Sequence, residues 1–167
     1  MIEPDINEVV AEAKQFRLKL ELAKKSNVQL VTEDFPVMNC KLSSLLFAYN
    51  ALQKWPSIVI YGVAGRAANH EGNDVISHYW LEYQDTAIDL TADQYNIIEE
   101  NQLNREILRI RPFTPVTTGR IDSMQNYKLF NISYRDTYIV GLPELAEDFL
   151  HDLHASYEAL GNLTACT

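Results

Sequence analysis

Near the start of the chain Ile6, Val9, Val10, Ala13, Phe16 and Leu20 recur at helical spacing, which places them on one face. Pro4 and Asp5 suit a helix start, so a first helix is predicted over about 5–26. "VQLVTEDFP" then reads as a short apolar piece entering a loop that Pro36 stiffens. From Cys40 onward Leu42, Leu45, Leu46, Ala48, Tyr49 and Leu52 make a mostly apolar helix that ends before Pro56. A helix this apolar has no face suited to water and is expected to be central. "SIVIYGVAG" is β-branched and bounded by Pro56 and Gly65, which predicts a strand, and "RAANHEGND" a polar loop.

The next stretch, "SHYWLEYQDTAIDLTADQY", alternates as two strands over about 76–83 and 86–92 around Gln84 and Asp85. With that two-residue turn, Tyr83 pairs with Thr86, Leu81 with Ile88, and Trp80 with Asp89. One face then carries His78, Trp80, Glu82, Ala87, Asp89 and Thr91, and the other Tyr79, Leu81, Tyr83, Ile88 and Leu90. The second set is a plain core face. The first makes His78 and Asp89 diagonal neighbours, roughly 7–8 Å apart at the backbone. A one-residue slip would send one of them to the far face.

Beyond this hairpin "EILRIRPF" is expected as a further strand, the segment from Thr114 to Thr137 is turn-rich and mixed, and "LPELAEDFLHDLHASYEAL" is a closing helix opened by Pro143. The order is helix, helix, several strands, helix: an α+β fold. At 167 residues, with no repeat, low-complexity tract or linker, a single domain spanning 1–167 is expected.

Charge narrows the partners. A formal net charge of -9 disfavours nucleic acid and anionic membrane, both of which need a basic surface. No apolar run approaches the length of a membrane span. The acidic, amphipathic N-terminus is unlike a signal peptide, and a cytoplasmic protein is expected. Of the two cysteines, Cys166 is next to the end, so free thiols in a reducing compartment are expected rather than a bridge to Cys40.

The chemistry converges on three residues. Cys40 stands where a helix begins, and the unpaired N–H groups there favour a thiolate. His78 backed by Asp89 is the support a nucleophile's base needs, because the carboxylate fixes the tautomer and stabilises the imidazolium. Asn39 is a good helix cap placed to orient the loop before Cys40. Other chemistries find less support. His151 and His154 lie three apart on the closing helix without the HExxH spacing of metal ligands, and Ser43 and Ser44 lack a GxSxG frame.

Cys40 with "SSLLF" behind it, "His78-Tyr79-Trp80" and "Asp89-Leu90-Thr91" resemble, in order and setting, the papain-like superfamily and most closely its transglutaminase-like branch. Arylamine N-acetyltransferases and some injected bacterial cysteine proteases share this Cys–His–Asp order. The likeness covers roughly residues 35 to 95. It implies a central helix packed on an antiparallel sheet, with Cys40 as nucleophile, His78 as general base and acid, and Asp89 as the orienting group. Trp80 would wall the cleft, and Asn39 and Gln94 would assist substrate binding. A peptide, protein or small amide substrate is implied, with no metal and no organic cofactor. Two departures stand out. Met38 occupies a position where transglutaminase-like domains often have Gly, and Glu33 and Asp34 lie where papain-like peptidases place an oxyanion-donating Gln. They keep a second expectation open, a non-enzymatic binding, immunity or adaptor protein on the same scaffold.

Overall fold

The computed structural model describes residues 2–163. Helix α1 (Ile6–Ala23) starts where Asp5 and Glu8 form a reciprocal capping box, each side chain accepting from a backbone N–H near the other. Its buried face is Val9, Ala13, Phe16 and Leu20, as the spacing requires. Helix α2 (Cys40–Lys54) is buried along most of its length and packs on the sheet. Five strands follow: β1 (Ile60–Ala67), β2 (Ile76–Tyr83), β3 (Thr86–Asp89), β4 (Thr117–Arg120) and β5 (Asn131–Tyr138). They form one antiparallel sheet in the order β4-β3-β2-β1-β5.

Among the described residues no helix is long and apolar enough to cross a membrane. The fold is α+β: helices surround a five-stranded antiparallel sheet.

The hairpin has the register read from the alternation: Tyr83 faces Thr86, Glu82 faces Ala87 and Leu81 faces Ile88. Gln84 makes the turn at a left-handed φ of 53°. Both sheet faces are covered, by different parts of the chain. Tyr79, Leu81, Tyr83, Ile88 and Leu90 join the core shared with α1, α2 and the closing helix α5 (Glu147–Gly161). Val63, Trp80 and Ala87 join a second core with Tyr95, Ile107, Phe113 and Phe130.

This second core corrects two expectations. "EILRIRPF" is not a strand: Arg105–Ile110 forms the short helix α3, because the Asn104 side chain accepts from the Ile107 N–H at 2.9 Å and caps it. The missing strands come instead from the segment read as turn-rich, which supplies β4, the one-turn helix α4 (Asn126–Leu129) and β5. Strand β5 lies at the sheet edge with most of its side chains exposed, so it carries no apolar alternation to read. Several element bounds also move: α1 ends at Ala23 rather than near 26, β1 begins three residues after the expected Ser57, β3 ends at Asp89 rather than near 92 because Ala92–Asn96 turns into a short 3-10 helix, and α5 starts at Glu147 rather than at Pro143.

Candidate active site

Cys40 is the first residue of α2 and is half-buried, with a free thiol; Cys166 lies outside the described residues. The residue before it, Asn39, does not cap the helix. Its amide donates to the Leu30 carbonyl at 3.1 Å and its oxygen accepts from the Ser43 hydroxyl at 2.7 Å, so a fully buried side chain ties the entering loop to the helix. The expected cap is therefore a tether. The consequence is chemical, because the first amides of α2 keep no side-chain acceptor from Asn39.

Met38 has φ of 59°, in the left-handed region that side chains other than Gly seldom adopt. A methionine here holds a backbone conformation that glycine favours.

His78 on β2 and Asp89 at the end of β3 meet. His78 Nε2 lies 2.6 Å from Asp89 Oδ2, and both side chains are 1% exposed. Asp89 is itself fully engaged: Oδ2 also accepts from the Asn126 amide at 2.8 Å, and Oδ1 accepts from the Thr91 N–H at 3.0 Å. Burial pushes the Asp89 carboxyl up, but the His78 charge and these hydrogen bonds outweigh it and hold the group below the usual carboxylate range. Burial likewise pulls His78 toward its neutral form. The Asp89 charge and hydrogen bond, with a smaller contribution from nearby Cys40, overcome this and carry the imidazole up to about 10. The imidazolium–carboxylate form is thus favoured across neutral pH.

The ring is fixed in place by its neighbours. Trp80, Tyr95 and Phe130 surround it with centroids 5.8, 5.2 and 5.4 Å away. Trp80 is fully buried and donates to the Tyr127 hydroxyl at 2.9 Å, so it supports His78 from the core and does not face the open cavity. Gly65 lies opposite His78 across the β1–β2 pair. A Cβ there would come within 2.7 Å of Phe130 and 2.9 Å of Trp80, so this strand position has no room for a side chain.

The Gln94 side-chain nitrogen lies 3.1 Å from His78 Nδ1. A neutral ring with a lone pair there takes the amide N–H, whereas a protonated ring needs the amide oxygen, reached by turning the amide over. Gln94 is buried, and it also borders a cavity of about 380 Å³ beyond Ser77. Cys40, His78 and Ser77 line a second cavity of about 230 Å³.

Asn126, Tyr95 and Phe130 went unread in the sequence. Asn126 and Phe130 come from a segment without periodicity, and Tyr95 from the short 3-10 turn Ala92–Asn96 just after β3, so no spacing marks any of them. Among the described residues no group of three His, Cys, Asp or Glu side chains is arranged as metal ligands would be. His154 instead bonds Tyr49 through Nδ1 at 2.6 Å. No protein-family model, no curated protein and no solved structure matches this chain.

Proposed function

We propose that this protein is a thiol-dependent acyl-transfer enzyme on a papain-like, transglutaminase-like core, with Cys40, His78 and Asp89 as its triad. The observation that carries the reading is the 2.6 Å His78–Asp89 bond beside a cavity that Cys40 and His78 both line. With Nε2 held by Asp89, Nδ1 is the ring nitrogen left to exchange a proton with the thiol. The Cys40 thiolate attacks the substrate carbonyl carbon and forms a C–S bond, while the uncapped amides at the start of α2 stabilise the negative oxygen. As the carbon–nitrogen or carbon–sulfur bond to the leaving group breaks, His78 gives its proton to the departing amine or thiol. Water or an amine then attacks the acyl-enzyme and returns a proton to His78, and the C–S bond breaks to regenerate the thiolate. Water gives a peptidase, amidase or deamidase, and an amine gives an acyltransferase.

A second reading, a binding, immunity or adaptor protein on the same scaffold, is favoured by one observation: Gln94 occupies the nitrogen that the thiol needs. Alkylation with iodoacetamide across pH 5–9 separates the two. The enzymatic reading expects Cys40 to react faster at neutral pH than a cysteine in an unstructured peptide, and His78→Ala to remove that advantage. If Cys40 reacts at the peptide rate throughout, or if Cys40→Ala keeps full biological effect, the binding reading stands in its place.

A further inference from the structure

The chain has a formal net charge of -9, yet the cavity of about 230 Å³ that holds Cys40 and His78 has no carboxylate in its lining. Besides His78, whose charge the buried Asp89 balances, it has two cations, Lys41 and Arg66. Arg66 projects from β1 beside Gly65 and has no carboxylate within ion-pair distance among the described residues. Lys41 follows the cysteine on α2. Its ammonium donates to the Tyr134 hydroxyl at 3.1 Å and lies 5.3 Å from the ring centroids of both Tyr79 and Tyr134, which orients it. Asp136 is 3.9 Å from Lys41, but it already accepts the Tyr79 hydroxyl at 2.6 Å and the Tyr138 hydroxyl at 3.3 Å. A lysine held by aromatic rings and an arginine with no carboxylate partner among the described residues thus face one small cavity in an otherwise acidic protein.

The cavity on the other side of Ser77 differs. Met38, Val75, Ile98 and Leu103 line it, with Gln94 and Ser77 at its inner wall, and none of these side chains is charged.

We propose that the Cys40 cavity takes substrates carrying an anionic group, a carboxylate or a phosphate, held by Lys41 and Arg66, with the uncharged remainder lying toward Met38 and Val75. This rests on the acyl-transfer reading and adds the substrate class. Local positive charge raises the concentration of an anion in such a recess even when the protein as a whole repels it.

The test compares two alkylating agents of similar size, anionic iodoacetate and neutral iodoacetamide, on the full chain. The ratio of their rates at Cys40 is measured against the same ratio for an unstructured cysteine peptide. The ratio is expected to exceed the peptide value by roughly fivefold for each cation that acts, and to fall by that factor in Arg66→Gln and again in Lys41→Gln. A ratio equal to the peptide's, unchanged by both substitutions, overturns the inference while a fast iodoacetamide reaction leaves the acyl-transfer reading intact. If Cys40 is slow with both agents, the acyl-transfer reading fails, and binding of anions decides the charge inference separately. Glutarate and inorganic phosphate are then titrated against the His78 ring signals. A saturable shift with glutarate alone assigns a carboxylate, with phosphate alone a phosphate, and its loss in Arg66→Gln assigns the residue. Absence of a shift with either ion overturns the inference.

Discussion

Replacing Asp89 with Asn removes one charge and keeps the shape of the side chain. In the native protein both carboxylate oxygens accept hydrogen bonds, Oδ1 from the Thr91 N–H and Oδ2 from His78 and Asn126. An amide offers one oxygen, so its NH2 must face a donor on one side. The larger effect is on His78. With the carboxylate gone, burial is left as the dominant influence and drives the imidazole below its ordinary value of about 6.5. The native shift, from about 6.5 to about 10, corresponds to about 5 kcal/mol between the two protonation states at 1.36 kcal/mol per pH unit. Breaking a buried ion pair costs about 3–5 kcal/mol, which agrees.

The direction with pH follows. A folded-state value raised above the unfolded one stabilises fully below about pH 6.5, and that contribution is lost as the pH climbs toward about 10. Native stability should therefore fall between pH 6.5 and 10, apart from other groups. In Asp89→Asn the folded value lies below the unfolded one, so His78 destabilises at low pH and this penalty fades as pH rises through about 6.5. The His78 contribution to the slope of stability against pH changes sign. Urea denaturation at pH 6 and pH 9 measures the stability, and NMR titration of the His78 ring measures its midpoint. An Asp89→Asn protein whose His78 midpoint stays near the native one would refute the assignment of Asp89 as the source of the shift.

Substitutions at three other positions probe how the site is held. Gly65→Ala should destabilise by about 1–3 kcal/mol in urea melts, because its Cβ meets Phe130 at 2.7 Å and Trp80 at 2.9 Å; a neutral result would show that the β1 strand can shift away from the ring cluster. At Met38, with φ of 59°, substitution by Gly should leave stability unchanged or raise it by up to about 1 kcal/mol, while Val lowers it; equal melting points for the two would contradict the left-handed backbone. Arg17→Ala leaves the Asp93 carboxylate, now 2.7 Å from the guanidinium, without its partner, and should cost about 3–5 kcal/mol in the same assay; a loss under 1 kcal/mol would mean that the pair contributes little.

Helices α1 and α5 and the hairpin were legible from the periodicity of their buried faces, and α2 from its nearly all-apolar run. Two-residue alternation around Gln84 and Asp85 fixed the pairing of Leu81 with Ile88, and with it the face shared by His78 and Asp89. The strands β4 and β5 were not legible. Thr117–Arg120 is short and half exposed, and Asn131–Tyr138 faces water along most of an edge, so neither repeats an apolar residue every second position. Apolar content misled at "EILRIRPF", where one capping asparagine outweighs β-branched composition. Cys40, His78 and Asp89 could be picked out as a set, but the third bond to the carboxylate could not. Asn126 lies 37 residues further on, on a one-turn helix with no sequence signature.

Arg17 bears on how far the site extends along the chain. From within α1 its guanidinium, 3% exposed, donates to the Leu90 carbonyl at 2.5 Å, the Pro115 carbonyl at 3.2 Å and both Asp93 oxygens. It clamps the bend that leads from Asp89 to Gln94, while Asn126 grips the same region from the opposite direction. Any attempt to excise the 35–95 stretch as a minimal unit would discard both grips and release the acid from its imidazole. The first helix thus holds the position of the Asp89 carboxylate from outside the hairpin that carries it.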